Sequence, residues 1–307
     1  QLTKLTPYTS GQFMMIDTST RRNLELVETL REKQKRGSLL WVLDRTRTAM
    51  GARMLRSFIE QPLVRKAEIE KRQAAVEELN MNFISREEIR EYLNSVYDLE
   101  RLLGRISYKT ANPRDLLAFK TSLSMLPHIK RLLNEFSCDL LKEIHEELDP
   151  LEDLYDLVDR AIVEEPPITV REGGIIKDGY SEEADQYRKA KTEGKAWLAE
   201  LESQEREKTG IKNLKIKFNK VFGYYFEVTN SFKELVPDYF IRKQTLTNAE
   251  RYTTDRLKEL EDVIMGAEDR LYTLEYELFC GVRDQIAGEV VRIQGTAKAI
   301  AGADVFT

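Results

Sequence analysis

Cysteine and histidine are nearly missing from this chain, with two of each in 307 residues. Cys138 and Cys280 cannot staple a scaffold of this size, so a reducing, cytoplasmic setting is expected. No Cys/His cluster surrounds His128 or His145, and a structural zinc site is not expected. Proline (8) and glycine (15) are scarce, well below their usual joint share of about 12%. That scarcity argues for long uninterrupted helices. Long apolar runs are missing too: Leu39–Leu43 is typical of the longest, and a membrane span needs roughly 20 residues. Neither sign of charge dominates, since 48 Lys+Arg face 53 Asp+Glu for a net −5, and 41% of residues are apolar. Such a composition excludes a disordered chain.

Catalytic signatures are missing as well. The sequence holds no G-x-x-x-x-G-K-[ST] phosphate loop, no G-x-S-x-G elbow and no H-E-x-x-H. Carboxylate pairs such as Glu87/Glu88 and Glu182/Glu183 fall in helix first turns, where they offset the helix dipole. His128 and His145 lie on separate predicted helices and suit packing or surface roles better than acid–base work. Cys280 follows apolar Leu278 and Phe279, as an inert buried thiol would. No enzyme activity or cofactor is expected of this chain. It opens on Gln1 and ends on an apolar Ala303-Asp304-Val305-Phe306 stretch, which reads as a fragment cut from a longer protein.

What the chain does have is helix. Asn112-Pro113-Arg114-Asp115 is a helix start, with Asn as cap and Pro at the first helical position. Behind it Leu116, Phe119, Leu123, Leu126 and Ile129 recur at three- and four-residue spacing, one apolar face. Ser85-Arg86-Glu87-Glu88 reads as a capping box. Asp17/Thr18 and Ser38 are weaker starts, before Leu24–Leu30 and Leu39–Ile59. Residues 151–163 give a short helix with Leu151, Leu154, Tyr155 and Val158 inward. A helical bundle over about residues 12–163 follows, closed by Glu164-Glu165-Pro166-Pro167 and an irregular junction over 164–180.

Glu182–Thr209, capped by Ser181, contains no proline and one glycine; as a helix it would run roughly 42 Å. Its apolar stripe (Tyr187, Ala190, Gly194, Trp197/Leu198, Leu201) is too narrow for a globular core, so it needs a partner helix. Leu257, Leu260, Ile264, Ala267, Leu271, Leu274 and Leu278 supply a heptad seam. Together they predict an antiparallel coiled-coil stalk. Between its arms, Leu214/Ile216/Phe218 and Tyr224/Phe226/Val228 alternate with polar neighbours around a Gly223 turn, a β-hairpin signal. Tyr239–Leu246 and Arg251–Thr254 form a weaker second pair. The predicted fold class is mainly α: a helical bundle with a long stalk carrying a small antiparallel β-sheet at its tip.

The tip is basic. Residues 211–251 hold Lys212, Lys215, Lys217, Lys220, Lys233, Arg242, Lys243 and Arg251 against Glu227, Glu234, Asp238 and Glu250, a net of +4; the remainder of a −5 chain is therefore −9. A basic tip on an acidic body suits polyanion contact without base reading. Alternating lysines equally suit the solvated face of a half-buried sheet. The aromatic run Phe222, Tyr224, Tyr225, Phe226 suits base stacking or, better, the core of a sheet too small to fold on aliphatics.

These motifs resemble the middle of the MutS DNA mismatch-repair proteins. Met15-Ile16-Asp17 with Thr20-Arg21-Arg22-Asn23-Leu24-Glu25-Leu26 is similar to the start of that family's core. Gly37-Ser38-Leu39-Leu40 through Asp44, Thr48-Ala49-Met50-Gly51-Ala52-Arg53 and Gln61-Pro62-Leu63 resemble its next signature. Phe218-Asn219, Gly223-Tyr224-Tyr225, Arg242-Lys243-Gln244-Thr245-Leu246 and Asn248-Ala249-Glu250-Arg251-Tyr252 resemble its clamp. The resemblance implies a core/lever domain over 1–170 and 262–307 and a clamp domain over 171–261, its sheet at about 211–254. It implies sequence-independent binding of the duplex DNA backbone, with the lever coupled to an ATPase domain outside this chain. ATP and Mg, a homodimer and a MutL-type repair partner belong to the full-length protein, with no membrane role. By the resemblance, backbone contacts fall to Arg242, Lys243, Thr247 and Asn248; Thr247 stands where the family often has a basic residue. Turn position and charge add Lys220 and Arg251. The alternative is a coiled-coil arm that docks a protein and has no nucleic-acid role.

Overall fold

The computed structural model describes residues 10–307. It is mainly helical, with one small antiparallel sheet. Helices α1 (Thr18–Asn23), α2 (Leu39–Leu43), α3 (Ala49–Glu60), α4 (Lys66–Met81), α5 (Phe83–Leu93), α6 (Leu99–Ser107), α7 (Pro113–Leu133), α8 (Asp139–Glu147) and α9 (Glu152–Ala161) come first. Then α10 (Glu182–Thr209) leads into strands β1 (Lys215–Asn219), β2 (Gly223–Thr229), β3 (Ile241–Thr245) and β4 (Ala249–Thr253). Two more helices, α11 (Asp255–Gly288) and α12 (Val290–Phe306), end the chain. The chain divides into two compact units. One runs to Ile168 and is completed by Gly281–Thr307; the other is Thr169–Cys280. No described helix is long and apolar enough to cross a membrane.

Local side-chain caps start several helices of the first unit. Asp17 accepts from the Thr20 amide and Ser38 from the Trp41 amide. Asn112 and Asp115 cap each other's backbone in a reciprocal box, with Pro113 behind Asn112. The α7 residues Leu116, Phe119, Leu123, Leu126 and Ile129 are all buried. Three expectations are corrected. Helix α5 begins at Phe83, before Ser85, whose hydroxyl donates to Glu135 instead of capping. The expected Leu39–Ile59 helix is two: it breaks after Leu43 and restarts at Ala49, capped by Thr48. The Leu24–Leu30 segment is not helical; Asp17 caps α1 instead.

Helix α12 explains the second correction. Ile293, Ala297, Ile300, Ala301 and Ala303 are buried, and the helix packs on α3, α4, α6 and α8. Near its end the buried Asp304 carboxylate accepts from the Arg47 amide (2.8 Å), the Thr48 amide (2.7 Å) and the Thr48 hydroxyl (2.7 Å). The start of α3 is thus fixed by a residue more than 250 positions away. Gly51 leaves room for it, since a Cβ there would stand 2.2 Å from the Asp304 Oδ2.

In the second unit α10 and the first part of α11 pair in opposite directions. Contacts rise along one helix as they fall along the other: Arg188 with Glu275 (2.7 Å), Lys191 with Glu268 (2.6 Å), Gly194 against Ile264. A Cβ on Gly194 would meet Ile264 Cγ1 at 2.4 Å, so the helices approach closely there. Leu257, Leu260, Ile264, Ala267 and Leu271 are buried. Beyond them burial passes from the expected Leu274 and Leu278 to Glu275 and Phe279. A helix of about 3.6 residues per turn drifts off a strict heptad in this way. Glu275 is sustained there by Arg188 and the Ile175 amide. Cys138 and Cys280 are free thiols, both partly exposed, so Cys280 is not the buried group its apolar neighbours suggested.

The sheet lies where α10 stops and α11 begins. Its order is β1-β2-β4-β3, all antiparallel. Phe226, Val228, Phe240 and Tyr252 share one core with Leu198, Leu201, Ile211, Leu214, Leu257, Leu260 and Ile264 of the flanking segments. Phe226 and Phe240 stack at 5.0 Å between centroids. Along β1 the Ile216 amide donates to Glu202 Oε2 of α10 (2.8 Å). On the other edge the β3 ladder slips between Arg242 and Gln244, leaving Lys243 as a bulge.

Candidate nucleic-acid interface

Strand register decides which of the expected contact residues meet. At one end of β2, Gly223 pairs with Asn219; at the other, Thr229 pairs with Ala249. The β1–β2 turn carrying Lys220 lies at the first end, and the β3–β4 turn carrying Thr247 and Asn248 at the second. Lys220 therefore stands apart from Thr247 and Asn248, although all three are exposed.

The first end is a tight, partly apolar turn. Gly223 has φ +70° and a side chain there would collide with the Glu261 carboxylate, which accepts from the Tyr224 amide at 3.2 Å. Val221 is 81% exposed, with Phe222 and Phe218 partly so. Lys243 reaches back from the β3 bulge, its Nζ donating to the Phe222 carbonyl at 2.8 Å. The middle of the sheet is internally committed. Arg251 stacks over Tyr225 (4.5 Å) and donates to Gln244 (2.8 Å). It pairs with neither Glu227 nor Glu250, because Glu227 takes Lys217 (2.7 Å) and buried Glu250 takes Lys233 (2.8 Å). Arg242 is exposed and only 3.8 Å-close to Glu250. The Lys233 and Tyr252 hydrogen bonds hold the Glu250 carboxyl below its ordinary range. Burial and the bond to Glu250 push the Tyr252 phenol up to about 12. The Glu227 hydrogen bond raises the Lys217 ammonium.

The second end differs. Asn213 Nδ2 donates to the Thr229 hydroxyl (3.0 Å), tying the α10–β1 loop to the end of β2. Asn230 next to it bonds the carbonyls of Thr247 (3.1 Å) and Asn248 (3.2 Å). Lys212 and Lys215, on either side of Asn213, are exposed, and no carboxylate among the described residues pairs with them. Exposed amide and hydroxyl side chains and two unneutralised ammonium groups thus share one end of the sheet, which suits phosphate contact. Charge counting includes Lys212 and Lys215 but does not single them out. Asn230 carries no local signal at all; only the β2–β4 pairing brings it beside Asn248.

Fold and site define a helical protein with an inserted helix pair that carries a small, basic-ended sheet. The sequence profile described as MutS domain III matches residues 19–307, and the chain belongs to the MutS DNA mismatch-repair family. It is 69% identical over 305 residues to the DNA mismatch repair protein MutS of Lachnoclostridium phytofermentans, covering 99% of this chain and 33% of that protein. Against the DNA mismatch repair protein MutS of Ruminiclostridium cellulolyticum it is 54% identical over 303 residues, covering 99% and 35%. Against that of Caldanaerobacter subterraneus it is 56% identical over 305 residues, covering 99% and 35%. The chain spans about a third of the length of these relatives.

Proposed function

We propose that the second unit is a clamp that grips the backbone of duplex DNA without reading sequence. In this reading α10 and α11 form an antiparallel coiled-coil stalk, residues 171–261 are the clamp domain, and 1–170 with 262–307 are the core/lever. The carrying observation is the second end of the sheet, which carries Thr247, Asn248, Lys212 and Lys215 and where no carboxylate among the described residues neutralises the two lysines. Arg242 extends that surface. Lys243 and Arg251 act chiefly by holding the sheet in shape, and Lys220 makes a separate, outlying contact. The continuous helix α11, shared by both units, is the element through which the lever would couple the clamp to an ATPase domain elsewhere in the full-length protein. The chain itself is non-catalytic; ATP with Mg, homodimerisation and a MutL-type partner belong to the whole cytoplasmic protein.

Binding of a fluorescent, fully paired duplex tests this. The expected Kd lies in the nonspecific range of about 10⁻⁴–10⁻⁶ M and weakens steeply with salt. Lys212→Gln and Lys215→Gln should each flatten the log–log salt slope by about 0.9. The joint Lys212→Glu/Lys215→Glu variant should abolish binding at unchanged helicity; undiminished affinity would refute the assignment. One observation favours a second reading. The β1–β2 turn exposes Val221 and Phe222 beside Lys220, as a protein-docking arm would, and such an arm would show no salt-sensitive DNA affinity.

A further inference from the structure

The β3–β4 turn is oriented from outside itself. Asn230 follows β2 and opens a short 3-10 segment, Asn230–Leu235. Its backbone N–H donates to the Asn248 carbonyl at 3.2 Å, and its side-chain Nδ2 donates to the Thr247 carbonyl at 3.1 Å. One residue therefore draws both carbonyls of the turn towards itself. The turn is closed by a single further bond, from the Leu246 amide to the Ala249 carbonyl (2.8 Å). No acceptor among the described residues takes the Thr247 or the Asn248 N–H. The chain has no cis peptide among its described residues. In a planar trans peptide the N–H points opposite to the C=O. An inward Thr247 carbonyl consequently turns the Asn248 N–H away from Asn230, towards solvent.

We propose that Asn230 is a positioning residue for phosphate: it holds the turn so that the Asn248 backbone N–H, with the Asn248 amide and Thr247 hydroxyl, faces a phosphate oxygen. The inference rests on the clamp reading and deepens it. It also assigns a role to threonine at position 247. A turn whose backbone donor is already aimed needs no basic side chain there, because the amide supplies the hydrogen bond while Lys212 and Lys215 supply charge. Aiming the donor before binding avoids ordering the turn during binding. Asn230 itself touches no phosphate in this arrangement. Its effect passes through the turn.

The test uses the 307-residue chain and a short, fully paired, labelled duplex titrated over a range of salt. Asn230→Ala should weaken binding about fivefold and leave the salt slope unchanged, because no cation is lost. Asn248→Ala should also weaken it. The double variant should bind no worse than about twofold below Asn248→Ala alone, since the two residues act through one turn. Gln204→Ala, which removes an exposed amide on α10 that donates to Glu200 away from the sheet, should bind as wild type does. Should Asn230→Ala lower the melting temperature, Asn230→Ser restores a side-chain donor and must recover affinity; failure to recover overturns the proposal. Equal affinity of wild type and Asn230→Ala, or strict additivity with Asn248→Ala, also overturns it. A wild-type chain that binds no duplex even at low salt sinks the clamp reading instead.

Discussion

Each unit of the molecule buries a carboxylate almost completely, and the two are satisfied in opposite ways. Asp304 of the helical unit is 1% exposed, and the donors it accepts from are uncharged: two backbone amides and a hydroxyl. Burial pushes its pKa up in spite of them. Glu250 of the second unit is 3% exposed but faces Lys233, Arg242 and the Tyr252 phenol, and these hold it down. The difference shows what each is for. Asp304 joins distant backbone into one start for α3, where geometry matters more than charge. Glu250 neutralises cations inside the sheet, as Glu227 does for Lys217, whereas Lys212 and Lys215 at its end have no carboxylate partner among the described residues.

The contrast can be broken one unit at a time, because Trp41 lies in the first unit and Trp197 in the second. Single-tryptophan variants therefore report each unit's unfolding by fluorescence. The largest effect is expected from Asp304→Ala, which strands the Thr48 amide and hydroxyl and the Arg47 amide. It should cost the first unit about 3–5 kcal/mol and leave the Trp197 transition in place. Next is Gly194→Val, which drives a side chain into Ile264 and should cost the second unit about 1–3 kcal/mol.

Acid sharpens the comparison. Asp304 has a raised folded pKa, so the folded protein gains relative stability as pH falls through that value; the deficit of Asp304→Ala should grow between pH 7 and 4. Glu250 has a depressed one, so its contribution is present above the ordinary glutamate value of 4.5 and fades as pH falls below it. The deficit of Glu250→Gln should therefore shrink in acid. Urea titrations at several pH values, followed at each tryptophan, would show whether the two trends diverge. The smallest effect is expected from Lys243→Met, which releases the Phe222 carbonyl on an exposed turn and should cost about 0.5–1 kcal/mol.

Much of the fold is legible because its determinants are local. Asp17, Ser38, Asn112 and Ser181 cap helices that begin within reach of their own side chains. Period-two alternation marks β1 and β2 for the same reason. Ser85 misleads because Glu135, fifty residues on, claims its hydroxyl. The break between α2 and α3 is hard to see because Thr48, the local cap of α3, is itself held by Asp304 from the far end of the chain. In the site, the hairpin turns are legible but their arrangement is not. Lys220 and Asn248 look alike as exposed turn residues, and only the insertion of β4 between β2 and β3 puts them at opposite ends. Arg251 reads as a free cation until Tyr225 is found beneath it.

A four-stranded open sheet has two outer strands, each with backbone donors that another chain could pair with to begin a fibre. Here neither border offers a clean template. The carboxylate of Glu202 occupies the Ile216 amide on one side, and the Lys243 bulge with Arg242 disrupts and charges the other. Concentrated solutions of the protein should accordingly stay free of cross-β aggregates, and Glu202→Ala, which uncaps a single amide, is the change that would invite the first of them.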